Sequence, residues 1–193
     1  MGLREQKKLA TRQALAWAAL RLAVERGLEN VHVEDIAAAA GVSPRTYNNY
    51  FASKQEAICS ITVDRAELIG EALLARPADE PLADALLAAM LAYYQPQGDL
   101  DREWVEATQL VMRSPALRGE ALKAIAATEQ RLAGAIARRC GLDAERDLYP
   151  KVVAAVVSGA ARVGIGHWQR SGTTEGFGDV LAEAIRLGMA GIA

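Results

Sequence analysis

Apolar residues recur at spacings of three and four along almost the whole chain, which is the repeat of a helix that buries one face. No segment alternates apolar and polar residues over the length of a strand, and no two-residue hairpin turn separates apolar runs. Alanine is abundant, and it has the highest helix propensity of all residues. The sequence therefore predicts an all-α protein of about nine helices.

Glycine, proline and capping residues mark where the helices begin and end. Ser43 and Pro44, for example, supply an N-cap and a first helical position for the third helix. We expect a small domain over 1–53 and a larger one over 54–193, which the fourth helix joins directly without a flexible linker. The predicted helices cover residues 3–26, 33–40, 44–51, 54–75, 82–94, 102–113, a long stretch ending at 139, 148–169 and 175–192.

Charge is distributed unevenly along a chain whose formal net charge is −2. Residues 1–56 hold eight Lys or Arg and six acids, which gives +2, and the remainder is therefore −4. The end of the chain that is favourable to phosphate is thus the N-terminal one.

Neither cysteine usage nor hydropathy indicates a secreted or membrane protein. Cys59 and Cys140 are far apart in sequence and make no disulfide framework or zinc cage. There is no basic-then-apolar signal segment, and no uninterrupted apolar run approaches the ~18 residues of a membrane span. We expect a cytoplasmic protein that does not engage a membrane.

The segment from Ile36 to Tyr47 has the layout of two short helices around a tight turn. Gly41 suits the turn because a positive φ costs it little, and Ala37 allows the second helix to approach closely. Ile36, Tyr47 and their apolar neighbours Val42 and Tyr50 can close a small core. This is a helix-turn-helix, in which the second helix enters the major groove of DNA, although a plain αα-corner has the same pattern.

The outward face of the third helix favours DNA over a plain corner. It carries Arg45, Thr46, Asn48 and Asn49 and no acidic residue. Arginine can form paired hydrogen bonds with guanine and asparagine with adenine, while hydroxyl groups reach phosphate.

Residues 12–27 and 33–54, the latter reading VEDIAAAAGVSPRTYNNYFASK, resemble the DNA-binding domain of the tetracycline-repressor (TetR) family. The resemblance covers about a third of the chain. It implies a homodimer that places two recognition helices on a palindromic operator of double-stranded DNA. It also implies that the larger domain binds a small molecule and lowers DNA affinity, which describes a repressor.

The resemblance implies which residues contact DNA. Arg45 and Thr46 are the first candidates for base contact, and Tyr50 and Lys54 match positions that touch phosphate. The full set of expected DNA-binding residues is Ser43, Pro44, Arg45, Thr46, Asn48, Asn49, Tyr50 and Lys54. The chain departs from the family pattern at four positions, which are Trp17, Ala23, His32 and Asn48.

The larger domain offers candidates for a ligand pocket and for a dimer interface. Pockets are mostly apolar with a few polar groups, so we expect a mostly hydrophobic effector. Expected pocket residues are Met90, Tyr94, Trp104, Thr108, Met112, His167 and Trp168, for which plain core packing is the alternative. The last two helices carry wide apolar arcs with small residues, and the expected dimer residues are Val156, Ala160, Val163, Leu181, Ile185 and Met189.

Two other classes of function compete with a DNA-binding regulator. The first is an enzyme, but the chain has two histidines and contains no phosphate-binding loop, nucleophile elbow or dinucleotide fingerprint. We expect no metal, no cofactor and no catalytic residue. The second is a helical scaffold that binds a protein, against which the acid-free face of the third helix argues.

Overall fold

The computed structural model describes residues 2–94, 110, 114–171 and 176–190, and this part of the chain is all helical, without a strand. Two short 3-10 turns, Leu28–Asn30 and Pro115–Leu117, accompany the α-helices. The α-helices are α1 Leu3–Arg26, α2 Val33–Ala39, α3 Pro44–Asn48, α4 Lys54–Ala75, α5 Leu82–Tyr94, α6 Arg118–Cys140, α7 Leu148–Ser171 and α8 Phe177–Met189. The all-α prediction is confirmed, and the predicted helix over 102–113 lies outside the described residues.

The predicted end of the third helix shifts for a local reason, and the structure supplies the start of α6. Helix α3 ends at Asn48, because the backbone N–H of Asn49 turns back to the carbonyl of Thr46 at 3.1 Å in a tighter turn. Helix α6 begins at Arg118, after the Pro115–Leu117 turn. Gly41 has a φ of +69°, which is the conformation that the turn between α2 and α3 requires.

The described residues form two compact units, 2–62 with 110 and 114–124, and 63–94 with 125–171 and 176–190. In the first unit, α1 packs on α2 and α2 on α3. The apolar side chains that close this core are almost fully buried; they are Leu15, Ala19, Ile36, Tyr47 and Phe51. The core holds α3 in place while its other face stays in solvent.

In the second unit, α4 and α6 lie side by side in matching register. Glu67 forms an ion pair with Arg131. One turn further along, a Cβ added to Gly70 would lie 3.1 Å from the Cβ of Ala135, so the backbones approach closely there. One turn beyond that, Arg139 hydrogen-bonds carbonyls at the end of α4.

Helices α7 and α8 also pack at close range in the second unit. A Cβ on Gly164 would lie 2.9 Å from the Cβ of Ala184, and a Cβ on Gly188 would lie 3.0 Å from that of Ala160. Small residues at these positions therefore permit the contact. Length and composition alone would allow Leu148–Arg170 of α7 to cross a membrane, with a mean hydropathy of 1.3. A helix in a packed core meets the same criterion, and 39% of this apolar window is buried.

The same packing buries three of the predicted dimer residues. Leu181, Ile185 and Met189 are 0%, 1% and 4% exposed within a single chain. Their own unit already covers them, so they offer no surface to a partner. An apolar arc on a terminal helix indicates that something covers it, but does not indicate whether that is the same chain.

Candidate nucleic-acid interface

Helix α3 is held at its start by a side-chain cap. The Oγ atom of Ser43 accepts a hydrogen bond from the backbone N–H of Thr46 at 3.1 Å, and it lies 2.9 Å from Thr46 Oγ1. Pro44 occupies the first helical position, where its missing N–H costs nothing. The hydroxyl groups of Ser43 and Thr46 therefore order the first turn of the helix as well as being candidates for DNA contact.

The free face of α3 is polar and carries no carboxylate. Arg45, Asn48 and Asn49 are exposed, and Thr46 and Tyr50 are half-buried. Ser43 and Pro44 are exposed at the start of the helix. Seven of the eight predicted DNA-binding residues thus lie on or beside one short helix.

Tyr47 anchors the opposite face of α3. Its side chain is fully buried, and its ring lies 5.8 Å from that of Phe51. The guanidinium of Arg12 lies 5.1 Å above the Phe51 ring, a cation–π contact between α1 and the residue that follows α3. Burial, with a smaller contribution from Glu56, raises the pKa of Tyr47 to about 12, so the phenol stays neutral.

Lys54, the eighth predicted DNA-binding residue, has a structural task at the first residue of α4. Its Nζ atom donates hydrogen bonds to the backbone carbonyls of Leu28 at 2.6 Å and Val31 at 2.7 Å. An ammonium group has three N–H donors, so one remains for a phosphate. Sequence reasoning missed this anchor because its partners lie 23 and 26 residues away.

Helix α2 begins without the usual hydroxyl cap, since His32 stands at that position. The carboxylate of Asp35 accepts a hydrogen bond from the backbone N–H of His32 at 3.2 Å. It also lies 3.9 Å from the guanidinium of Arg26. Two further departures from the family pattern lie in α1, where Ala23 is buried and Trp17 is half-buried.

Comparison with known proteins agrees with this geometry. A sequence model described as "Bacterial regulatory proteins, tetR family" matches residues 17–57, and one described as "MftR C-terminal domain" matches residues 80–193. The HTH-type transcriptional regulator TcmR of Streptomyces glaucescens is 37% identical over 184 residues, which are 90% of this chain and 80% of TcmR.

The chain belongs to the TetR family of transcriptional regulators. Its similarity to named regulators makes it a regulator and not an enzyme.

Solved structures of TetR-family proteins share the fold. A TetR-family regulator from Rhodococcus has a TM-score of 0.59 at 26% identity, over 93% of this chain and 98% of that one. FadR of Thermus thermophilus, solved with lauroyl-CoA, has a TM-score of 0.60 at 16% identity, over 94% and 95%. At that identity the second likeness concerns the fold alone.

The predicted pocket residues of this TetR-family chain are only partly described. Met90 is buried in α5, Trp168 is half-buried, and His167 is exposed. The rings of Trp168 and Phe177 make an edge contact at 5.2 Å between centroids. Tyr94 is the last residue of α5. Trp104, Thr108 and Met112 lie outside the described residues.

The remaining predicted dimer residues lie on α7. Val163 is 59% exposed, and Val156 and Ala160 are half-buried where Gly188 approaches them. On α8, Leu187 is 71% exposed, and it is not among the predicted dimer residues. The exposed apolar side chains therefore neighbour the buried ones on both helices.

Proposed function

We propose that the chain is a ligand-responsive repressor that binds a palindromic DNA operator as a homodimer in the cytoplasm. The domain over 1–53 would hold DNA, and the domain over 54–193 would bind the effector and the partner protomer. The observation that carries the proposal is the exposed, acid-free face of α3, with Arg45, Asn48 and Asn49 on a helix fixed by Ser43 and Tyr47.

Each group on that face has a defined task. Arg45 and Asn48 or Asn49 would hydrogen-bond base edges in the major groove. Tyr50 and the remaining N–H of Lys54 would hold phosphates beside it. In the exposed first turn, the backbone N–H of Arg45 would donate to another phosphate, because Pro44 has no N–H and that of Thr46 is bonded to Ser43 Oγ.

The effector would be a small, mostly hydrophobic molecule. Met90 and Trp168 supply apolar surface in the second unit, and the predicted partners Tyr94, Trp104, Thr108, Met112 and His167 would complete the pocket. FadR of Thermus thermophilus, a fold neighbour, was solved with lauroyl-CoA, whose acyl chain is of this chemical class.

Selection from a pool of random duplexes tests the proposal directly. We expect the purified protein to enrich inverted half-sites whose centres lie about 34–36 Å apart along the duplex. Light scattering should give twice the chain mass of 20.6 kDa. Enrichment of no sequence, or of a single half-site by a protein of monomer mass, would contradict the proposal.

A further inference from the structure

One line of side chains on α1 changes from basic to apolar along the helix. Positions 4, 8, 12, 15, 19 and 22 follow one another at spacings of four or three, so they share one face. The later members Leu15, Ala19 and Leu22 are buried in the first unit. The earlier members Arg4 and Lys8 are exposed, and Arg12 is half-buried.

The basic part of this line begins beside the recognition helix. Arg12, its innermost member, covers the ring of Phe51 at 5.1 Å, and Phe51 follows α3 directly. Arg4 lies eight residues before Arg12, towards the start of α1, which corresponds to about 12 Å of helix. The basic residues thus continue the buried face of α1 past the end of the core.

Helix stability does not explain a basic residue at this end of α1. Cations are disfavoured in the first turn, because the N-terminus of a helix carries a partial positive charge. Within the described residues, Arg4 and Lys8 have no carboxylate within ion-pair distance. From residue 2 to residue 12 the chain carries four basic residues and one acid, Glu5.

We propose that Arg4 and Lys8 form a second DNA contact, a clamp on the phosphate backbone that flanks the groove entered by α3. Arg4 and Lys8 are about 6 Å apart along α1, and one DNA strand presents a phosphate every ~3.4 Å of axis, so the two side chains meet about two phosphates. Phosphate contacts fix register and affinity without reading sequence. The clamp therefore adds affinity for any duplex, and it rests on the proposed DNA-binding function.

The salt dependence of binding to a mixed-sequence duplex tests the clamp. Each phosphate contact contributes about 0.9 to the slope of log K against log salt concentration. We expect the double variant Arg4→Ala/Lys8→Ala to lower that slope by about 1.8 for each bound protomer. The charge-preserving variant Arg4→Lys/Lys8→Arg should retain the slope of the unmodified protein.

A matched control removes the same charge elsewhere. Arg21 lies on the opposite, exposed face of α1, and Arg138 is exposed on α6 in the other unit. The double variant Arg21→Ala/Arg138→Ala should keep the original slope. If it lowers the slope as much as the Arg4/Lys8 variant does, net charge explains the effect and the clamp is refuted.

The outcomes separate the clamp from the proposed function. If the unmodified protein binds duplex and Arg45→Ala weakens binding, but Arg4→Ala/Lys8→Ala keeps the original slope, then the clamp alone is wrong. If the unmodified protein binds no duplex at low salt, both fail. Circular dichroism of each variant should match the unmodified protein, since the substituted side chains are exposed.

Discussion

The Nζ atom of Lys54 donates a hydrogen bond to the backbone carbonyl of Val31 at 2.7 Å, and it reaches the carbonyl of Leu28 at 2.6 Å. A residue at the start of α4 thus ties together the chain segment between α1 and α2. Since α3 lies between Val31 and Lys54 in sequence, this anchor closes the loop of chain that contains the recognition helix.

Replacing Lys54 by Met should destabilise the protein in the absence of DNA. The methionine keeps most of the apolar stem but leaves two carbonyls without their charged donor. We expect the free energy of unfolding in urea to fall by about 2–3 kcal/mol. Lys7→Met, at an exposed position on α1, should change it little. An unchanged unfolding curve combined with weaker DNA binding would instead make Lys54 a phosphate ligand only.

Arg139 holds the end of α4 through four carbonyl oxygens. Its guanidinium donates to Leu73 and Arg76 at 3.2 Å each, to Pro77 at 2.6 Å and to Glu80 at 2.9 Å. The last carbonyls of a helix have no partner within it, so this side chain supplies what the helix lacks. Arg139 therefore links α6 to the end of α4 and the turn that follows it.

Substituting Arg139 should show how much these four hydrogen bonds contribute to the free energy of unfolding. We expect Arg139→Ala to lower the free energy of unfolding by about 1–3 kcal/mol, because three half-buried carbonyls and one exposed carbonyl lose a charged donor. Arg139→Lys should lose less of this free energy than Arg139→Ala does, but it should not match the unmodified protein, since an ammonium cannot reproduce the planar geometry of the guanidinium. Amide exchange over residues 73–80 should quicken in Arg139→Ala. Arg138→Ala, one position earlier and exposed, serves as control and should behave like the unmodified protein.

Local signals explain which parts of the fold the sequence predicted. The predicted bounds of α1, α4 and α5 agree with the structure, because each helix ends near a glycine, a proline or a capping residue that acts on its own neighbours. The cap by Ser43 and the burial of Tyr47 follow from the same short segment. These features need no knowledge of distant parts of the chain.

Long-range relationships explain what the sequence could not predict. Arg139 contacts residues that are 59 to 66 positions away, and nothing in the local pattern distinguishes it from Arg138. Likewise, the apolar arc of α8 is visible in the sequence, yet the burial of Ile185 by its own chain is not. The spacing of Arg4, Lys8 and Arg12 can be read from the sequence, but the position of Arg12 over Phe51 cannot.

The phenol of Tyr47 should make stability fall at alkaline pH. Burial raises its pKa from 10.0 to about 12, so the folded state holds a proton that the unfolded chain releases above pH 10. The stability it contributes is complete below about pH 10 and is lost as pH rises to about 12, by roughly 2–3 kcal/mol. Buried Cys59, whose pKa is raised to about 11, adds a similar loss that begins near pH 9.

The variant Tyr47→Phe isolates the contribution of the phenol. Within the described part of the chain, the Tyr47 hydroxyl has no hydrogen-bond partner, so its removal should be neutral or should stabilise by up to about 1–2 kcal/mol at pH 7. Urea unfolding between pH 9 and 12 should then show only the loss due to Cys59. An equally steep fall above pH 10 in Tyr47→Phe would show that another group titrates there.

Two substitutions on α8 distinguish a residue of the proposed dimer interface from a residue of the core. Leu187 is 71% exposed, whereas Ile185 is 1% exposed. We expect Leu187→Glu to lower the mass in light scattering to that of a folded monomer. Ile185→Glu should instead unfold the chain, because it places an unpaired charge in the core. A Leu187→Glu protein that remains a dimer would place the partner on another surface.

Arg45 should contribute affinity that depends on the DNA sequence, in contrast with Arg4 and Lys8. It is exposed on α3, where a guanidinium can form two hydrogen bonds with one guanine. Replacing Arg45 by Ala should therefore cost about 1–3 kcal/mol on a selected operator and relax the preference at one base pair of each half-site. Anisotropy titrations against the operator and against single-base variants would measure both effects. Equal loss on every duplex would assign Arg45 to phosphate contact and leave base reading to Asn48 and Asn49.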